Sequence, residues 1–466
     1  ALSKASPSAG LVREIIPMIK QDEVAREAVV ALAALVEKAS HMDPALLQKA
    51  IDAASDAGLA DDMAKQLDTI EKRAKEFRQR TQKSLDAIEA VGPDGYERVV
   101  YMNCGAQRRA ARSGVSVSRA RGEAYSYGGQ PEPLRTVDFH GDAVRYELTG
   151  LSADKDYMLG LAWWDVDGNG RVQSVAFRGG EQGEWRQVLP PCPPSAYLKG
   201  NRTWARVVLP VPAELIEDGR LRVAFRGHEG PNATVSELWL MERTSPPAEK
   251  RIAVVTGDEL HHWRNVSRRV AEVLRRDDRL EVSIIETPYA YASPLIDRFD
   301  GTVLCFKEKN MKPRENIWQG LSRHVEDGAG LAMVHFASGA FQSWDGFVQI
   351  AGRAWNPGMR AHDPHGEFTV NIAAPDHPIT ARLSSFTTTD ELYTCLDGDV
   401  EIDLLATATS KVDGEKYPMA FTNTFGDGRV FHCALGHDLK AFEAAAVRRL
   451  YRRGTAWTLG LDPSLQ

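Results

Sequence analysis

The sequence predicts three architectures in series: an N-terminal α-helical segment, a β-sandwich of the jelly-roll kind, and a C-terminal doubly wound α/β sheet. Three observations carry this expectation. Apolar residues recur at helical spacing as far as residue 90. From 97 to 243 the pattern becomes short strand-like runs between Gly and Pro turns. Beyond the linker Thr244-Ser-Pro-Pro-Ala-Glu-Lys250, buried-looking strands alternate with amphipathic helices. A length of 466 residues fits about three domains, here 1–90, 97–243 and 250–466.

The helical segment places apolar residues at Ile15, Ile16 and Ile19, then Val29, Leu32, Leu35 and Val36, then Leu46, Leu47 and Ile51, then Met63, Leu67 and Ile70. Asp43-Pro44 is a helix start, a capping side chain before a proline at the first helical position. Two or three helical hairpins are expected. They carry no recognisable chemistry, and a scaffold or spacer role suffices for them.

In the second segment, strands are expected at 98–103, 136–140, 144–151, 156–165, 171–178, 204–211, 221–226 and 234–241. Turn signals such as Arg178-Gly-Gly180 and Pro190-Pro191 separate them. Many short strands with hardly any helix imply a sandwich. From Tyr101-Met-Asn-Cys-Gly105 to Ser236-Glu-Leu-Trp-Leu240 the pattern is similar to galactose-binding-like and malectin-like sandwiches, without a diagnostic motif. Such sandwiches bind sugars through exposed aromatics. The candidates are Tyr125, Tyr127, Trp163, Trp164 and Trp185, weighed against ordinary core packing. Trp163 and Trp164 point to opposite faces of a strand, so only one can be core. Asp165-Val-Asp-Gly-Asn-Gly170 matches the start of a calcium loop, but its twelfth position is Ala176, where a bidentate acid is needed. It also reads as a hairpin turn.

In the third segment, strands are expected at 252–256, 282–286, 302–306, 331–334, 367–372, 404–408, 419–424 and 429–433, with helices at 265–275, 314–326, 341–352 and 439–459. The sheet should be mainly parallel, with helices on both faces. Its centre is the run Gly330-Leu-Ala-Met-Val-His335-Phe-Ala-Ser-Gly339, an apolar strand that turns through small residues into a helix. Enzymes of this architecture present a functional side chain at such an elbow, and here the side chain is His335.

A net charge of −7 argues against a general nucleic-acid or anionic-membrane surface. No apolar run approaches the roughly 20 residues of a membrane span. Five scattered cysteines, Cys104, Cys192, Cys305, Cys395 and Cys433, form no close pair, so buried free thiols are expected. No nucleotide cofactor is expected.

In open α/β sheets the site lies outside the carboxyl ends of the strands. Nine of the twelve histidines follow residue 250, several of them at strand ends. Such a cluster suits acid/base work near neutral pH or a metal. The candidates are His261, His262, His335, His362, His365 and His437. His377 and His324 read as structural or solvated, and His432 as core.

Residues 250–460 resemble the trehalose-utilisation (ThuA-like) family. The match rests on Gly257-Asp-Glu-Leu-His-His-Trp-Arg264, Val334-His-Phe-Ala-Ser-Gly-Ala340, His362-Asp-Pro-His-Gly-Glu-Phe-Thr369, Asp376-His-Pro-Ile379, Asp390-Glu-Leu-Tyr393 and Gly428-Arg-Val-Phe-His-Cys-Ala-Leu-Gly-His-Asp438. The resemblance implies a fold similar to class I glutamine amidotransferases. Those enzymes carry a cysteine at the elbow, so the histidine here argues against cysteine-based amide hydrolysis. His437 and Asp438 fall where the downstream His–Glu pair of that fold would lie. The resemblance further implies carbohydrate catabolism, on glycosides that include forms oxidised at C3. A 3-keto group acidifies the neighbouring C–H, which opens an elimination route for the glycosidic bond.

Such a reaction needs a base, an acid and an electrophile. The expected catalytic residues are His335, His437 paired with Asp438, and Glu391. The expected substrate contacts are His261, Trp263, Arg264, Lys307 and Asp390. A divalent metal, Zn or Mn, would sit on histidines drawn from His262, His335, His362, His365 and His437. The alternative reading is a non-catalytic carbohydrate-binding or scaffold protein. A role on polysaccharide favours a periplasmic or secreted location, an expectation drawn from function rather than from a targeting segment.

Overall fold

The computed structural model describes residues 9–39, 42, 44–89, 91–127, 136–165, 167–198, 201–257, 261–307 and 315–465. Asp43, Val166, 258–260 and Arg314, all used in the expectations above, lie outside them.

Helices Ala9–Ile19, Ala25–Lys38, Pro44–Asp56 and Ala64–Glu89 form the N-terminal region. Their apolar stripes close on a core of their own, which includes Ile15, Val29, Leu32, Leu35, Leu47, Ile70 and Phe77.

Two five-stranded antiparallel sheets make the sandwich. One runs, in spatial order, Ala205–Val211, Tyr157–Trp163, Glu237–Arg243, Tyr96–Asn103 and Arg108–Ala111. The other runs Ser116–Arg121, Ala143–Thr149, Arg220–Glu229, Val172–Arg178 and Arg186–Cys192. Trp163 is fully buried and meets Phe225 of the opposite sheet edge-on, with ring centroids 6.4 Å apart. Trp164 on the other face is only partly buried.

Several strands escape the sequence pattern. Arg108–Ala111, Ser116–Arg121 and Glu123–Ser126 are rich in Arg and Ser and largely exposed, so they carry little apolar signal. The Asp165–Gly170 stretch is not a hairpin turn. Tyr157–Trp163 and Val172–Arg178 belong to opposite sheets, and this loop crosses between them. Its acids are matched internally, because Arg171 donates to Asp165 Oδ1 at 2.6 Å and also pairs with Asp167.

The C-terminal domain holds one nine-stranded sheet. Its order is Leu280–Ile285, Lys250–Thr256, Gly301–Cys305, Gly330–Val334, Gly428–Cys433, Lys416–Phe425, Asp403–Thr409, Gly366–Ile372 and Phe386–Asp390. The first five are parallel and buried; the rest join antiparallel. The sheet is therefore mixed rather than mainly parallel. Gly366–Ile372 alternates buried and exposed residues, as a strand with one wet face does. The helix expected over 341–352 shrinks to Phe347–Ala351, after the Asp345-Gly346 break. The last helix begins at Ala445, later than expected. Among the described residues no helix is long and apolar enough to cross a membrane.

The sandwich and the α/β domain share a continuous apolar core. Edge strand Ala205–Val211 meets edge strand Leu280–Ile285, where the Glu286 N–H donates to the Arg206 carbonyl at 2.9 Å. A second seam joins Tyr96, Asp156 and Arg243 of the sandwich to Arg251 and Glu281 of the sheet.

Candidate active site

Four parallel strands end on one edge, and the residues just beyond them include His261, Lys307, His335 and His437. His335 sits directly after Gly330–Val334, in the first position of a tight 3-10 turn. Its φ is +36°, a left-handed conformation that a side chain adopts at a cost of about 1–3 kcal/mol. Packing holds it there: His335 is fully buried, its ring is 3.9 Å from that of Tyr393, and its Nδ1–H donates to the Ala434 carbonyl at 2.6 Å. A carbonyl can only accept, so this bond fixes the tautomer and leaves the Nε2 lone pair turned toward the site.

That lone pair looks at Glu391. His335 Nε2 lies 3.6 Å from Glu391 Oε2, His437 Nδ1 lies 3.1 Å from the same oxygen, and His362 Nε2 lies 3.7 Å from Oε1. Neither His335 Nε2 nor His437 Nδ1 makes a well-formed hydrogen bond, although both are buried. Glu391 is thus a hub faced by three imidazoles.

Electrostatics follow from this. Burial works against ionisation of Glu391, but His335 and His437 outweigh it and hold the carboxyl far below its usual range. Burial pulls His335 down to about 4, only partly offset by Glu391. Burial would also lower His437, yet Glu391 and the nearby acids carry it above the ordinary histidine value. Against the same carboxylate, one imidazole is pushed toward its neutral form and its neighbour is drawn toward its charged form.

The loops are pinned by Asp390. This fully buried carboxylate accepts N–H groups from Glu391 at 2.8 Å, Gly436 at 2.6 Å and His437 at 3.1 Å. Burial raises it to about 7 against those three donors. Gly436 has a φ of +119°, a conformation side chains rarely adopt, and the Phe442 ring and Tyr451 hydroxyl lie only 3.2 Å from where a Cβ would sit, so glycine is favoured there. The His362 loop is held by bridge pairing of His362 with Tyr393, and Asp363 accepts from Arg360, Ser410 and the Lys411 N–H.

The residues expected from sequence separate into two groups. His335, His437, Glu391, His362 and His365 come together, with His261 stacked on Phe336 at 4.3 Å and 5.5 Å from the His437 ring. The expected His437–Asp438 pair gives way to a crossed arrangement. His437 faces Glu391, whereas Asp438 Oδ2 lies 3.3 Å from His365 Nε2. Asp390, expected as a substrate contact, spends its carboxylate on three backbone N–H groups instead. Arg264 is engaged elsewhere: it forks onto Glu286 at 2.9 Å through both Nε and Nη2, and stacks on Trp204 at the seam between domains. Trp263 is fully buried beneath it. His262 is exposed at the start of helix Trp263–Leu274, apart from the cluster. Lys307 is almost buried, with its Nζ 3.3 Å from the Trp355 ring centre and its stem against Gly339 of the elbow turn. Tyr393 and Trp355 were not singled out for roles from sequence. Tyr393 stood inside the Asp-Glu-Leu-Tyr motif, which was the available signal.

Among the described residues, His335, Glu391 and His437 are the group whose donor atoms all lie within 4.8 Å of one another. Two imidazoles and a carboxylate, with the facing nitrogens His335 Nε2 and His437 Nδ1 lacking hydrogen-bond partners, are a donor set that fits a divalent ion such as Zn or Mn once His437 gives up its proton.

Residues 251–458 match the family model described as "ThuA: Trehalose utilisation", which suggests carbohydrate metabolism. No curated protein matches the chain. Among solved structures, a ThuA-like protein from Parabacteroides merdae ATCC 43184 aligns at 22% identity and TM-score 0.41, covering 46% of this chain and 91% of that one. A ThuA-like protein from Bacteroides uniformis ATCC 8492 aligns at 14% identity and TM-score 0.40, covering 48% and 98%. A β-galactosidase from Bacillus circulans sp. alkalophilus aligns at 12% identity and TM-score 0.32, covering 46% and 32%.

Proposed function

We propose that the protein is a carbohydrate-active enzyme that cleaves a glycosidic bond at the His335–Glu391–His437 centre, with glycosides oxidised at C3 as the favoured substrates. The observation that carries this reading is two imidazoles facing one oxygen of a single carboxylate, at 3.6 and 3.1 Å, at the carboxyl edge of the sheet. His335 presents a lone pair and serves as the base. It takes the proton from C2, next to the ketone, and the C–H electrons form the enolate. Collapse of the enolate breaks the C1–O bond, and His437, held protonated by Glu391, gives its proton to the departing oxygen. Addition of water to C1 completes a net hydrolysis.

The same centre supports a metal-assisted version, in which His335, Glu391 and His437 hold the ion. When bound, a Zn or Mn ion supplies a Lewis acid for the ketone oxygen. Proton work then falls to His362 and to the His365–Asp438 pair, which face the centre from the rim.

The test is turnover of glycosides and their 3-keto forms by wild type, His335→Ala and His437→Ala, together with elemental analysis of the purified protein. Loss of turnover in both variants is expected, and unchanged turnover in both overturns the proposal. Stoichiometric metal that disappears in the variants selects the metal-assisted version.

A further inference from the structure

The outer face of the second sandwich sheet carries a charge cluster that has no part in the histidine centre. Three adjacent strands, Ala143–Thr149, Arg220–Glu229 and Val172–Arg178, each turn arginine to that face. Register sets Arg145 opposite Ala224 and Arg178 opposite Arg222, and Arg226 shares the face of Ala224 by alternation. Val144, Val223, Phe225 and Phe177 alternate with them and are fully buried on the inner side. The guanidinia of Arg145, Arg178 and Arg226 gather on one ring, that of Trp185, at 5.7, 4.8 and 5.4 Å from its centre.

The cluster is short of negative charge. Arg222 is matched by Glu147 at 2.9 Å. Among the described residues, Arg145 meets only Asp142, at 3.9 Å, and Arg178 and Arg226 form no ion pair. Arg145 Nε and Arg178 Nε are buried without a hydrogen-bond partner. Burial and the neighbouring Arg222 and Arg145 hold Arg178 below the ordinary arginine value. A ring face attracts a guanidinium but does not take up its in-plane N–H donors. An outside carboxylate does, in the bidentate geometry that arginine favours. Exposed acids, Asp142, Glu181 and Glu184, stand at the rim of the patch. A long polyphosphate would meet those acids along with the arginines. A segment with one or two carboxylates beside an apolar side chain meets only the arginines and Trp185. Trp and Arg are also enriched among the residues that dominate binding at protein interfaces.

We propose that this sheet face, at Arg145, Arg178, Arg226 and Trp185, docks an acidic segment of a partner protein, with the arginines taking its carboxylates and Trp185 its apolar neighbours. The inference stands on the charge balance of the face and does not depend on bond cleavage at the histidine centre.

The experiment uses the full chain and fluorescein-labelled dodecapeptides in which Asp or Glu alternates with Leu or Phe. Fluorescence anisotropy at low salt gives Kd. At least one acidic peptide is expected to bind, with a Kd about tenfold weaker or more in the double variant Arg178→Glu, Arg226→Glu. The same peptides with Gln and Asn in place of the acids should bind far more weakly, and added salt should weaken the acidic ones. Neither reversed arginine forms an ion pair, so the urea midpoint of the double variant should stay close to wild type. Arg226→Gln, which removes one charge and keeps most of the side chain, repeats the test with a smaller loss of affinity. Turnover at the histidine centre should be the same in all of these variants. Binding of none of the acidic peptides overturns the proposal, as does equal affinity in wild type and the folded variants. A thymidine dodecanucleotide that binds more tightly than every peptide, and is lost in the double variant, assigns the patch to polyphosphate. That result overturns the acidic protein partner and leaves the proposed function standing.

Discussion

Two glutamates in this protein, Glu286 buried and Glu391 half-buried, meet cationic or titratable partners in opposite ways. Glu286, at the seam between sandwich and sheet, has both oxygens filled. Arg264 donates to each at 2.9 Å, and the Arg206 N–H donates to Oε2 at 3.0 Å. Burial opposes its ionisation, but the two arginines keep it charged. Glu391, at the sheet edge, faces three imidazoles at 3.1–3.7 Å, and two of the facing nitrogens lack a well-formed hydrogen bond. The first cluster is closed and therefore holds parts together. The second is open and can still take a proton, a cation or a substrate oxygen. Charge alone does not tell a seam from a site; unanswered capacity does.

The strongest attempt to break this contrast is Glu391→Gln, which keeps the shape and removes the charge. Turnover should fall about 10²–10⁴-fold, the usual scale of lost acid/base work. The urea midpoint should stay close to wild type. A variant that turns over normally would make Glu391 as structural as Glu286.

The mirror experiment is Glu286→Ala. It leaves Arg264 and Arg206 buried without their carboxylate and should cost about 3–5 kcal/mol in urea unfolding. Activity per folded molecule should be retained. Lost activity at full stability would mean that the seam takes part in chemistry.

Asp390→Asn tests the layer beneath the centre. Glu391 and His437 N–H share one oxygen and Gly436 N–H uses the other, so an amide leaves at least one backbone donor facing NH₂, and kcat should fall about 10–100-fold, as for other supporting residues of a site. Circular dichroism should be unchanged. A fall in stability with kcat intact would mark Asp390 as a packing residue only.

The smallest effect is a pH dependence outside both clusters. His324 and His432 are buried, and burial lowers each to about 4 from the ordinary 6.5. Below 6.5 the unfolded chain takes up protons that the folded chain refuses. Stability from these two groups is therefore complete above about 6.5 and drains away as pH falls toward 4. Urea unfolding at pH 7, 6 and 5 should show the decline, with a shallower slope in His432→Leu. An unchanged slope in that variant would refute the assignment for His432.

Much of the sheet edge was legible because apolar strands and strand-end histidines leave a direct trace. Leu331 to Val334 followed by His335 is such a trace. The centrality of Glu391 was not legible. It follows Phe386–Asp390, a Thr-rich edge strand without an apolar pattern. Arg264 and Trp263 looked like substrate contacts because their partners are remote: Glu286 lies 22 residues away and Trp204 lies 60 residues away. His437 and Asp438 looked like a pair because they are adjacent, yet successive residues on a loop point apart, and each found a partner from another segment. The sandwich strands after Cys104 were missed where Arg and Ser replace the apolar alternation.

The abutting edges of the two sheets carry one more consequence. Strand Ala205–Val211 and strand Leu280–Ile285 are each the last in their sheet, and each would otherwise offer a row of open backbone groups to any passing chain. By covering one another they act as mutual guards against aggregation. A chain cut at the 244–250 linker would bare both edges at once. The separated halves should therefore self-associate even though each retains a core, and co-expression of the two halves should restore solubility.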